Sequence, residues 1–205
     1  MSSPDAVTII GRYGQGSGLN QINQLAGIIA PQRFPSLLYL SDSANQRILL
    51  SDFETNMVKV IAGTSGVIGS DSTHLYNPFG IALDEQTNAL YIADRSNNRI
   101  QKYDMNRQYP STTVAGWGQL NTPYGVQLDP SGINMFIADT LNHRILLWLN
   151  GALEGRIIVG NGIANNSMFQ LNNPTQIRFD SNYNLYVADT VNCRIQRFDL
   201  ISNGC

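Results

Sequence analysis

The chain has 205 residues, 42% of them hydrophobic and 14% charged, with a formal net charge of −2. That length suits one domain or two small ones, and the hydrophobic share excludes a disordered chain. The charge balance argues against nucleic acid, whose nonspecific binding comes from clustered Lys and Arg, and no apolar run approaches the ~20 residues that span a bilayer.

The opening residues, Met1-Ser2-Ser3-Pro4-Asp5, carry no basic or apolar region of the secretory kind, so a cytoplasmic location is expected. The first apolar run, Val7-Thr-Ile-Ile-Gly11, reads as a short strand. The stretch Gly14-Gln-Gly-Ser-Gly18 follows it and reads as a connector, because no Lys and no helix follow to make a phosphate cradle.

From there three blocks recur. The first is Leu25-Ala-Gly-Ile-Ile-Ala-Pro31, then Asn77-Pro-Phe-Gly-Ile-Ala-Leu-Asp84, Thr122-Pro-Tyr-Gly-Val-Gln-Leu-Asp129 and Asn173-Pro-Thr-Gln-Ile-Arg-Phe-Asp180. The second runs Tyr39 to Ile48, Tyr91 to Ile100, Phe136 to Ile145 and Tyr186 to Ile195. Each copy holds an Asp (42, 94, 139, 189), an Asn three residues on (45, 97, 142, 192) and an Arg five on (47, 99, 144, 194). The third block is Val58-Lys-Val-Ile-Ala-Gly63, Thr112-Thr-Val-Ala-Gly116 and Arg156-Ile-Ile-Val-Gly160. The aspartates are 52, 45 and 50 residues apart.

Short runs of Ile, Val, Leu, Tyr and Phe between Gly, Pro, Asn and Asp are strands, and no stretch has a helical period. Each repeat therefore carries four strands, here termed a, b, c and d, and units of four strands at this period are propeller blades. The blocks resemble the NHL repeat, a β-propeller repeat that runs Pro-x-Gly-Ile-Ala and then Leu-Tyr-Val-Ala-Asp-x-x-Asn-x-Arg-Ile-Gln-x-Phe. The resemblance covers roughly residues 25 to 199. The expected fold is a single all-β propeller domain over residues 1–205, with four-stranded repeats at about 25–63, 77–116, 122–160 and 173–199. The last repeat stops after strand c, and Val7–Gly11 resembles strand d. It is expected to complete the last blade and close a four-bladed ring. The alternative is an open arc, or part of a six-bladed propeller, the commoner NHL form.

The Asp–Asn–Arg set (Asp42, Asn45, Arg47; Asp94, Asn97, Arg99; Asp139, Asn142, Arg144; Asp189, Asn192, Arg194) reads as blade architecture, because identical residues in every blade serve the blade. Arg can pair with the Asp five residues earlier or with a neighbouring blade. Specificity belongs where repeats differ, on the face that carries the b–c turns and d–a loops. The candidates there are Tyr76, Phe79, Arg95, Asn98, Trp117, Tyr124 and His143. The NHL resemblance implies a non-enzymatic interaction or scaffold module that binds protein or peptide, as in substrate recognition by NHL-containing ubiquitin ligases. Two other readings remain: a metal-dependent lyase or lactonase-like propeller, and an RNA-binding NHL propeller. No metal or cofactor is expected, since His74 and His143 are the two histidines and catalytic zinc normally takes three protein ligands. Cys193 and Cys205 are close enough in sequence for a bridge, and their redox state stays open.

Overall fold

A computed structural model describes residues 6–106, 111–116 and 118–199. It holds four antiparallel sheets in chain order. The first contains β1 (Leu25–Ile29), β2 (Leu37–Asp42), β3 (Arg47–Asp52) and β4 (Met57–Gly63). The second contains β5 (Pro78–Asp84), β6 (Ala89–Asp94), β7 (Arg99–Asp104) and β8 (Thr112–Ala115). The third contains β9 (Pro123–Leu128), β10 (Met135–Asp139), β11 (Arg144–Trp148) and β12 (Arg156–Gly160), and the fourth β13 (Pro174–Phe179), β14 (Asn184–Asp189) and β15 (Arg194–Asp199). Strands pair with their sequence neighbours, so each sheet is a meander. These are the expected strands a, b, c and d, including the weakly marked first one, and the fold is the all-β propeller type.

Apolar residues on both faces of each sheet make the core. Tyr39, Ile48 and Leu50 of the first blade meet Ile81, Leu90 and Ile92 of the second. Tyr91, Ala93 and Ile100 meet Val126, Ile137 and Leu146 in the same way, and Phe136, Ala138 and Ile145 meet Ile177, Leu185 and Val187. Each blade thus has a leading face towards its predecessor and a trailing face towards its successor. Neighbouring innermost strands approach closely, β1 to β5, β5 to β9 and β9 to β13. The glycine of the first block allows this. A Cβ on Gly80 would lie 2.5 Å from the Tyr124 carbonyl oxygen, and one on Gly27 would lie 2.7 Å from that of Phe79.

The ring does not close as the first reading expects. Val7–Gly11 forms no strand, and the fourth sheet has three. Residues Ile9 to Tyr13 stand instead beside Ser51, Asp52 and Val58 of the first blade. Among the described residues no contact comparable to those between the other innermost strands joins β13 back to β1. The blades form the open arc of the alternative reading. Trp117 and Cys205 lie outside the described residues. Among the described residues no helix is long and apolar enough to cross a membrane.

Candidate functional site

The b–c turns and d–a loops are bonded to one another, which puts them on one face. Ser43 N–H donates to the Gln24 carbonyl, Ser96 N–H to that of Tyr76, and Leu141 N–H to that of Asn121. Between strands b and c the chain makes a short 3₁₀ turn at Ser43–Asn45, Arg95–Asn97 and Thr140–Asn142. The next residue takes a left-handed conformation, with φ 59° at Gln46, 54° at Asn98, 49° at His143 and 51° at Cys193.

The repeated aspartate organises each turn. Asp42 Oδ2 accepts from Asn45 Nδ2 at 2.9 Å and Arg47 Nε at 2.8 Å, while its Oδ1 accepts from Asn23 N–H at 2.8 Å. Asp94, Asp139 and Asp189 make the same three bonds with Asn97, Arg99 and Tyr76 N–H, Asn142, Arg144 and Asn121 N–H, and Asn192, Arg194 and Asn172 N–H. The rest of each guanidinium grips main-chain carbonyls of the arriving d–a loop. Arg47 reaches Ser17, Gly18 and Gln21, and Arg194 reaches Asn166, Ser167 and Gln170. Each Arg thus pairs with the Asp five residues earlier, and its other bonds go to the loop leading into its own blade.

Burial decides how the carboxylates titrate. Burial pushes the Asp94 carboxyl up, against the opposing pull of its Asn97, Tyr76 and Arg99 bonds. At Asp189 burial also raises the value, but the donors Asn172 N–H, Asn192, Arg194 and Gln196 prevail and the net shift is downward. In the fourth blade Gln196 adds a donor to Asp189 at 3.2 Å.

The turn position that varies between repeats turns out to clip one blade to the next. Gln46 Oε1 accepts from Asn77 N–H at 2.6 Å, Asn98 Oδ1 from Thr122 N–H at 2.7 Å, and His143 Nδ1 from Asn173 N–H at 3.2 Å. Asn98 and His143, expected as binding residues, thus have their acceptors engaged across blade junctions. The available signal was chemical: Gln, Asn and His all carry a side-chain acceptor. Cys193, with a poor acceptor, occupies this position in the fourth blade and is exposed. Tyr76 is tied by its main chain, donating to Asp94 and accepting from Ser96.

The structure does bring three of the candidates together. Phe79 on β5 and Tyr124 on β9 lie with ring centroids 4.5 Å apart, tilted by 51°. Arg95, the first residue of its turn, sets its guanidinium carbon 4.8 Å from the Tyr124 centroid and 5.9 Å from that of Phe79. Its Nε is buried and has no hydrogen-bond partner. The equivalent positions hold Ser43, Thr140 and Thr190. Thr140 Oγ1 donates to the Pro174 carbonyl at 2.7 Å, and Thr190 shares a bond with Thr175. Arg95 is thus the cation that stands over an aromatic pair at the inner rim of this face. The histidines lie apart from it. His74 sits in a d–a loop with Nδ1 2.8 Å from the Asp71 carboxylate. Among the described residues no three of His, Cys, Asp and Glu gather as metal ligands.

A family model for the NHL repeat matches residues 75–103, which run from the end of a d–a loop through β7 of the second blade. The second blade thus matches an NHL repeat. It is 35% identical over 97 residues to the NHL repeat-containing protein 2 of Bos taurus. That match takes 44% of this chain and 13% of the relative, so the chain spans a small part of that protein's length. Among solved structures, a chain of a nidogen/laminin complex matches with a TM-score of 0.60 and 22% identity, over 80% of this chain and 56% of that one. A streptogramin B lyase matches with a TM-score of 0.60 and 14% identity, over 87% of this chain and 55% of that one. At these identities the two solved structures support the fold. The NHL repeat itself carries the blade architecture, and the Phe79–Arg95–Tyr124 cluster is built from its non-repeating positions.

Proposed function

We propose that this NHL-repeat chain is a non-enzymatic protein-interaction module that binds a protein or peptide on the face of its b–c turns and d–a loops. The observation that carries the reading is Arg95. A buried guanidinium Nε without a partner is an unmet donor, and such donors in folded proteins call for a ligand or water. The aromatic shelf of Phe79 and Tyr124 holds the cation in place at little entropic cost, and cation–π contact adds about 1 kcal/mol. Aromatic and Arg side chains together are the usual anchors of protein interfaces. The acceptor that fits is a carboxylate, from an acidic side chain or a chain end, since the guanidinium presents a planar fork of donors.

Selection of displayed random peptides on the folded chain tests this. The enriched peptides are expected to carry an acidic residue or need a free carboxyl end, and Arg95→Ala is expected to weaken them about tenfold, the size of a lost charge-assisted bond. Peptides that bind Arg95→Ala as well as the unchanged chain overturn the reading. RNA retention that falls steeply with salt favours the nucleic-acid alternative, and a bound metal ion at unit stoichiometry favours the metalloenzyme alternative.

A further inference from the structure

The junction between the second and third blades departs from the repeat. On each trailing face, strands b, c and d set one residue each at the same level. These are Tyr39, Leu50 and Lys59 in the first blade, Tyr91, Lys102 and Thr112 in the second, and Phe136, Leu147 and Arg156 in the third. The first and third blades use the middle position to pack a leucine towards the next blade. The second blade puts Lys102 there, one of the two lysines in the chain. Lys102 Nζ lies 5.4 Å from the Tyr91 ring centroid, and among the described residues it makes no ion pair.

The third blade supplies the opposite wall. Trp148 is buried, and its Nε1 donates to the Ala152 carbonyl at 2.9 Å, which folds the c–d loop back over the indole. The fit is close, since a Cβ on Gly155 would lie 2.6 Å from the indole ring. Gln119 Nε2 donates to the Leu153 carbonyl at 2.8 Å. The main chain of Leu153 is thereby fixed, yet the residue is 80% exposed, and Leu149 and Ile133 on the same rim are exposed as well. The groove between Tyr91, Lys102 and this loop holds about 250 Å³, and an apolar cavity of about 150 Å³ already admits a benzene-sized group. Apolar side chains grouped at a surface groove mark an interaction site. A cation already resting on a ring, beside a loop already tied down, loses little freedom on binding.

We infer that this groove is a second protein-binding site, for an extended segment of a partner that carries Asp or Glu beside a large apolar residue. The carboxylate pairs with Lys102, and the apolar side chain fills the space against Trp148 and Leu153. The groove is bordered by the a–b turn and the c–d loop of the third blade, at the opposite strand ends from the b–c turns, so it is separate from the Arg95 cluster. Charge separates it from the neighbouring junction. A comparable space of about 460 Å³ lies between the first and second blades, lined by Tyr39, Lys59 and Tyr103. There Glu85 stands near enough to push the Tyr39 phenol up, in addition to burial, and it repels a further carboxylate. The place that Glu85 takes after Asp84 is taken by Pro130 after Asp129, so the second junction carries no carboxylate there. Complementary charge sets partner choice more than raw affinity, and it selects an acidic segment for the Lys102 groove.

Selection of displayed random peptides on the Arg95→Ala chain tests the inference without drawing on the first site. The enriched peptides are expected to carry Asp or Glu beside Leu, Phe or Trp. By fluorescence polarisation they are expected to bind Lys102→Glu and Leu153→Asp at least tenfold more weakly, Lys102→Arg nearly as well, and Lys59→Glu unchanged, with the fold of each variant checked by circular dichroism. Exchanging the acidic residue of a peptide for Lys is expected to restore its binding to Lys102→Glu, which a loss of structure alone would not allow. A selection that enriches no peptide overturns the inference. So do peptides that bind Lys102→Glu undiminished, or that need Lys59 in place of Lys102. Either result leaves the Arg95 reading standing, since that one is judged on the unchanged chain.

Discussion

At the residue scale, the repeated Asp–Arg pair is one motif in graded surroundings. The side chains of Arg47 and Asp42 are 1% and 0% exposed, whereas Arg194 beside Asp189 is 29% exposed. Losing one partner of a buried pair strands the other charge, at a cost of about 3–5 kcal/mol, and solvent relieves that cost where the survivor reaches water. Asp42→Ala is therefore expected to destabilise the protein more than Asp189→Ala, as read by urea unfolding of both variants. Acid has a predictable sign as well. The carboxyls of Asp52, Asp71, Asp180 and Asp189 are held below their ordinary range, at Asp71 by the Thr73 N–H and His74 and at Asp180 by Asn184. Groups with lowered values add stability that is complete above about pH 4 and is lost as pH falls through their depressed values. Asp94, raised by burial, works in the opposite direction. Thermal melts are expected to show a lower midpoint at pH 3 than at pH 6, and a higher midpoint at pH 3 would mean that the Asp94 type of shift dominates.

At the scale of the element, the strands were legible because the repeat states each of them several times over. The b–c turn was legible as a turn but not as a clip. Asn98 has φ 54°, a conformation that β-branched residues resist, and its Oδ1 holds Thr122 N–H. Asn98→Val is expected to cost about 2–3 kcal/mol from backbone strain and the lost bond together, while Asn98→Gln, which keeps an acceptor as Gln46 does, is expected to cost clearly less. Equal losses in denaturation curves would refute the clip. The contact of Arg95 with Phe79 and Tyr124 was not legible as a cluster. The three residues lie on a turn and two inner strands, and their meeting depends on how closely β5 and β9 approach, which Gly80 sets. Gly80→Ala, with its Cβ 2.5 Å from the Tyr124 carbonyl oxygen, is expected to part those strands and lower both stability and peptide binding. Binding that survives in this variant would separate the cluster from the strand spacing.

At the scale of the molecule, a row of repeats is stable roughly as a sum of units and junctions. Among the described residues the second and third blades have two junctions each, whereas the fourth has one and three strands. Hydrogen exchange is expected to be fastest in β13–β15 and slowest in β6 and β10, whose residues are buried throughout. Uniform protection across the blades would mean that the chain unfolds as one unit. Sequence could not settle closure, because a strand of type d at the start of the chain fits two places. The structure puts it on the leading face of the first blade, where the grip of Arg47 on residues 17 to 21 holds the segment that follows it.

That grip has a consequence for how such a surface diversifies. Arg47, Arg99 and Arg194 hold their loops by main-chain carbonyl oxygens, atoms that every amino acid supplies. The path of each loop is thereby written in the blade behind it, while Leu75, Leu120 and Leu171 anchor the loops in the core. The exposed loop residues between these anchors can then be exchanged to suit a new partner without renegotiating the scaffold, much as type is reset in a fixed frame.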